Sequence, residues 1–187
     1  MTEKEQLMQH AQQLKDTQLN TFVITALAKA PKEFWTIAAS STGKHHPEQS
    51  NGKGGLVRHI LATLYFAREL FIAFNTGEAD QDAVNAALIM HDFGKAMHEP
   101  HDIVAATDLR WLQKDLGYQD NAIITAALDG VRWHMGKWST GSTHCAPDER
   151  GTKQFPKDFS YVAQLVHLAD YAASRKRVNL TKLGVTE

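Results

Sequence analysis

Five residues of this 187-residue chain have the types and the spacing to meet on one metal ion: His59, His91, Asp92, His134 and Asp170. Residues three and four apart share a helix face, which allows each to be placed. His59 follows Leu56 by three and precedes Ile60 and Thr63. His91 continues the series Val84, Ala87, Leu88, with Asp92 beside it. His134 continues Ile123 or Ile124, Ala127 and Val131, and Asp170 continues Phe159, Val162, Ala163, Val166 and Ala169. Four helical stretches therefore each aim a metal-ligand type of side chain at the interior.

An ionised carboxylate on an apolar face costs several kcal/mol unless it is paired or bound to a cation. A divalent metal resolves the conflict, because neutral imidazole nitrogen and carboxylate oxygen are its natural ligands. Nitrogen and oxygen without thiolate suit Mn, Fe, Co, Ni or Zn, with Mg as a further partner, rather than a structural cysteine-type zinc site. The plainer reading makes each histidine a satisfied core residue and pairs Asp170 with Arg132 or Arg175. Joint placement on four separate helices weakens the plainer reading, and spacing alone leaves both open.

Helices are expected over residues 3–16 and 19–30, then a short aromatic stretch at 33–39 and a Gly-, Ser-, His- and Lys-rich surface loop at 40–55. The next helix covers 56–74. Asp80 or Asp82 is a candidate cap for the one after it, which the periodicity carries to about Lys95. Pro100 biases Glu99 away from helix, so a break falls there. Helices follow at 102–116, 120–135 and 158–176, with a long loop at 136–157 of the kind that serves as a lid or binding segment. Strand-like alternation is absent from the pattern, and the fold class is all-α. The reading gives N-terminal helices at 1–39 packed on a main domain at 40–177, and a tail at 178–187.

Composition bounds the rest. Hydrophobic residues make up 43% and charged residues 22% of the chain, ordinary for a globular protein. A formal net charge of -1 gives no global field to recruit nucleic acid or an anionic membrane. No apolar run approaches the roughly 20 residues a bilayer span needs. The polar start, MTEKEQLMQHAQQLKD, has no signal-peptide core, and the single cysteine, Cys145, has no partner for an internal disulfide. A cytoplasmic location is expected. Ten histidines suit metal ligation and proton transfer.

Larger motifs surround these residues. HDFGK (91–95) resembles the HD-x-G-K core of the HD-domain metal-dependent phosphohydrolases. GGLVRH (54–59) resembles that family's Gly-Gly-Leu-x-x-His entry to the first ligand helix, and VHLADYAASRK (166–176) looks like its last helix. The resemblance runs from about Lys44 to Lys176. It implies a helical bundle around a metal site, with His59, His91, Asp92 and Asp170 as ligands and phosphate-ester hydrolysis as the reaction. Two-metal subfamilies add histidines between the HD motif and the last Asp. Here His101, with His98 as the weaker choice, and His134 stand in that interval. The usual His-His-Gly of such families is His134-Met135-Gly136, which leaves His101 and His134 to hold a second metal, contact phosphate or protonate a leaving group. KHHPEQSNGKGGLVRH is also similar to the lead-in of HD proteins related to 3′–5′ exoribonucleases. The first forty residues read as helices and not as an appended nucleic-acid-binding barrel, which argues against long nucleic acid as substrate.

The expected chemistry is attack on a phosphate ester by water that the metal makes acidic. Asp92 is placed to ligate and to accept the proton. Lys95, expected on the same helix face as His91, would stabilise phosphoryl charge. Arg58, His45, His46, Lys53 and Lys137 are candidate substrate contacts, and Trp138 a candidate for stacking on a base. The expected partner is a small phosphorylated molecule such as a nucleotide, a cyclic nucleotide or a short oligonucleotide. A ligand-sensing module that keeps the metal without turnover, and a purely structural domain, are the competing classes. An intact HDFGK with all four ligands argues against the last.

Overall fold

The computed structural model of the chain describes residues 1–40, 42–44, 46–97, 100–141 and 157–185, without the side chains of Lys137 and Thr140. The architecture is all-α, and no strand occurs among the described residues. The helices are α1 (Glu3–Gln12), α2 (Thr17–Lys29), α3 (Gly55–Phe74), α4 (Glu78–Met90), α5 (His101–Asp115), α6 (Ala122–Trp133) and α7 (Tyr161–Ala173).

Their starts follow from local chemistry. Thr2 and Glu5 form a capping box on α1. Asp16, Asn121 and Ser160 each accept a hydrogen bond from the backbone N–H three residues on, at the starts of α2, α6 and α7. The start of α4 departs from expectation: Gly77 is its cap, and neither Asp80 nor Asp82 is. The buried Asp82 carboxylate instead accepts from the backbone N–H groups of Lys15 (2.7 Å) and Asp16 (2.8 Å), tying the turn between α1 and α2 to α4.

α4 lies at the centre. Ala83, Val84 and Ala86 through Met90 are all buried, so the C-terminal half of the helix is apolar nearly all round, as the centre of a bundle requires. It packs on α6, α2, α3 and α7, while α3 and α6 both pack on α7 and α5 packs on α6. One core cluster runs from Leu7 of α1 to Leu180 and Val185 near the C-terminus. Burial of each large aliphatic there is worth about 1.5–3 kcal/mol. No helix among the described residues is long and apolar enough to cross a membrane.

Candidate metal centre

α4 ends at Met90, one turn before the periodicity had placed its end, and His91 is its C-cap. Asp92 and a 3-10 turn at Phe93–Ala96 follow. The turn is packed tightly at Gly94. A Cβ there would stand 2.0 Å from the His101 carbonyl oxygen, so only glycine lets the start of α5 lie against this turn. The central helix thus stops where its last residues become site residues. Lys95 is not on a helix face with His91; its ammonium donates to Asp92 Oδ2 at 2.7 Å and to the Ala39 carbonyl at 3.0 Å.

His91 and His134 are held alike. Each is the C-cap of its helix, and each Nδ1–H donates to the carbonyl three residues back, Leu88 at 2.7 Å and Val131 at 2.8 Å. These bonds commit each Nδ1–H to the backbone and turn Nε2 inward, where it carries the lone pair whenever the ring is neutral. His59, from the first turns of α3, brings Nε2 to 3.0 Å from Asp170 Oδ1 of α7. His91 Nε2 lies 3.3 Å from Asp92 Oδ2 and 3.8 Å from Asp170 Oδ1.

Asp92 faces two ways. Oδ2 looks toward His59 (3.8 Å), His91 and Lys95, whereas Oδ1 looks toward His101 Nε2 (3.4 Å) and His134 Nε2 (3.6 Å). Ligand atoms of His59, His91 and Asp170 lie within 4.8 Å of one another, as do those of His91, Asp92 and His134. The expected residues therefore converge, and His101 joins them.

The residues fit a divalent cation. His59 Nδ1, His91 Nε2 and Asp92 Oδ1 are buried with no hydrogen-bond partner. Buried polar atoms are almost always satisfied, and an orphaned lone pair beside an orphaned carboxylate oxygen is what a cation would pair. Asp170 does not pair with Arg132, which binds Asp102 at 3.0 Å, and the guanidinium of Arg175 lies over the Tyr171 ring. The partly buried Asp170 carboxylate keeps His59 as a hydrogen-bond partner, and neither arginine of the plainer reading pairs with it.

Electrostatics agree. Burial opposes charge on Asp170, yet the hydrogen bond from His59 and the charge of His91 hold its carboxyl far below the usual range. Burial likewise opposes charge on Asp92, and His91 and Lys95 outweigh it. Burial lowers His91, but the two carboxylates more than compensate and leave it raised. Burial, then His91 and His101, push His134 down to about 3. A neutral His134 whose Nδ1–H is already spent offers a lone pair and no proton. Such an imidazole suits ligation or acceptance of a proton more readily than protonation of a leaving group.

A cleft of about 430 Å³ opens on this cluster, with His46, Lys95, His101, His134, Asp170 and Trp138 on its walls. His46 packs edge-on to His59 at 5.0 Å, and burial with the charge of His59 pushes it down to about 4. Arg58 is elsewhere: its guanidinium bonds to Glu3 and to the carbonyls of Gln49, Asn51 and Lys53, beside a separate cavity of about 630 Å³. It fastens the loop before α3 and does not reach the cleft. Lys53 is exposed and also off the cleft wall. His45, His98, His144, Cys145 and the side chain of Lys137 lie outside the described residues.

The family model for the HD domain matches residues 56–174, more than half of the chain. The chain belongs to the HD-domain family. No curated protein and no solved structure matches it. HD domains form a metal-dependent phosphohydrolase superfamily, and the cluster above is the part of this HD domain that can hold a divalent ion. The HD motif here has a stated physical basis: His91 supplies a lone pair at a helix end, Asp92 bridges two histidine groups, and Gly94 admits α5. Sequence reasoning missed His167 and Tyr171. His167 Nδ1–H donates to the His134 carbonyl at 2.8 Å, and its position three residues before Asp170 was a usable signal.

Proposed function

We propose that this HD domain hydrolyses the phosphate ester of a nucleotide, cyclic nucleotide or short oligonucleotide. The observation that carries the reading is the pair of orphaned buried atoms, His91 Nε2 and Asp92 Oδ1, within 4 Å of Asp170, His101 and His134, which line an open cleft. His59, His91, Asp92 and Asp170 would hold the first divalent ion. Asp92 Oδ1, His101 and His134 offer a second position. When bound, such an ion supplies Lewis-acid polarisation of a phosphoryl oxygen and a lowered pKa for water.

The chain's own groups do the rest. Asp92, shared by the two positions, orients the attacking water and accepts its proton. Lys95 on the cleft wall donates to a phosphoryl oxygen and offsets the charge that develops there. His134, neutral and lone-pair-inward, accepts and does not donate. His46 closes the side of the cleft nearest His59.

The test is a screen of nucleoside mono-, di- and triphosphates, cyclic nucleotides and short oligonucleotides with Mn²⁺, Co²⁺, Ni²⁺ or Mg²⁺. Metal-dependent release of phosphate or nucleotide is expected. Binding of these ligands to metal-loaded protein with no turnover across the panel would replace the hydrolase with a ligand-sensing module.

A further inference from the structure

Trp138 and Tyr171 stand on the wall of the same cleft, their rings parallel to within 11° and 5.9 Å between centroids. Trp138 is 51% exposed and Tyr171 40%. Single exposed aromatics are ordinary, but two large ones stacked in one cleft are not. Both are tied to the ligand cluster by the chain itself: Tyr171 follows Asp170, and Trp138 comes four residues after His134.

The pair is fixed in place. His167 packs against both rings, at 6.1 and 6.0 Å, while its Nδ1–H holds the His134 carbonyl. Gly136 makes this possible, with φ at +60 and a site where a Cβ would stand 2.4 Å from the His167 ring. The Arg175 guanidinium lies 4.0 Å over Tyr171, with Nε on that residue's carbonyl, and puts positive charge at the rim. A half-exposed aromatic surface already packed by its neighbours offers a flat ring a place to stack at a smaller ordering cost. A cleft of about 430 Å³ also falls in the range of about 300–1,000 Å³ common for small-molecule sites.

We propose that Trp138 and Tyr171 form a nucleobase subsite, so that the phosphate ester reaching the histidine–aspartate cluster is that of a nucleotide held by stacking on its base. The inference rests on the phosphohydrolase reading of this cleft and adds to it which part of the substrate is recognised and by what. Stacking reads the π-face and not the base edge, so adenine and guanine are accepted alike and a larger purine is favoured over a pyrimidine.

The test compares equilibrium binding of adenosine 5′-monophosphate with that of ribose 5-phosphate, which has the same phosphate and sugar but no base, to Mn²⁺-loaded protein. The wild type is expected to bind the nucleotide roughly tenfold more tightly. Trp138→Ala is expected to bring that ratio close to one, and Trp138→Phe to restore part of it. A thermal melt of each variant confirms folding. Equal affinity of the wild type for the two ligands, no detectable nucleotide binding, or an unchanged ratio in Trp138→Ala overturns the proposal. Phosphate-ester turnover is read separately. Turnover without a base effect removes the subsite and leaves the hydrolase; a base effect without turnover does the reverse.

Discussion

The imidazoles of His91 and His134 stand 4.9 Å apart, each at the end of its own helix and each held by a hydrogen bond from Nδ1 to the carbonyl three residues back. The arrangement points two lone pairs at Asp92 from α4 and α6, two helices that pack closely on each other. His91 contributes to both clusters of ligand atoms. His134, whose Nε2 is 3.2 Å from His101 Nε2, belongs with the second.

Separate roles predict separable losses. His134→Ala and His101→Ala should keep the tightly held ion, lose a weaker second one and lower turnover by roughly 10–100-fold. Metal titration by equilibrium dialysis beside kcat measurements checks this. Loss of the tight ion in either variant would merge the two positions into one.

Lys95 bridges Asp92 and the Ala39 carbonyl, so it serves both charge and loop position. Lys95→Met should cut kcat by about 10²-fold, because a donor to developing charge is removed. The effect should fall on kcat more than on KM. A change confined to KM would make Lys95 a binding residue only.

Gly94 predicts a stability contrast. Gly94→Ala drives a Cβ into the His101 carbonyl and should cost more than about 3 kcal/mol or prevent folding. Gly77→Ala meets nothing within 4 Å at an ordinary φ of -65 and should stay within about 0.5 kcal/mol. Comparable melting temperatures for the two variants would refute the packing argument.

The stability of metal-free protein should fall on acidification. His46 and His134 have folded pKa values of about 4 and about 3 against an ordinary 6.5, so below that value the unfolded chain takes up protons that the folded one refuses. Their contribution is whole above 6.5 and is lost as pH falls toward 3. The lowered carboxyls of Asp92 and Asp170 act in the same sense at the acid end. His91 is raised and acts oppositely, its contribution being lost as pH climbs above 6.5. Calorimetry from pH 7 to 4 should show this decline, with a shallower slope in His46→Gln. A flat profile would contradict it.

Much of this was legible in the sequence. Every α-helix among the described residues was placed, because apolar residues at three- and four-residue spacing encode a buried face directly. The inward aim of His59, His91, His134 and Asp170 came from the same rule. What spacing could not supply was tertiary. Asp82 looks like a helix cap in sequence but serves the backbone of Lys15 and Asp16, far away along the chain. The turn after α4 lies against the start of α5 at Gly94, a contact that no spacing rule reveals. Arg58, beside a ligand, looked like a substrate contact, yet helix geometry turns it to the opposite cavity. His167 and Tyr171 gain meaning only once the turn after α6 folds back onto α7.

The central claim is that carboxylates and imidazoles from separate helices meet on a divalent cation. Metal content of wild type and Asp92→Ala, each saturated with Mn²⁺ and then dialysed, tests it most directly. Roughly one retained ion per wild-type chain, and almost none in an equally helical Asp92→Ala, is the predicted result. A wild-type chain that emerges empty, or an Asp92→Ala chain that keeps as much metal as the wild type, would contradict it.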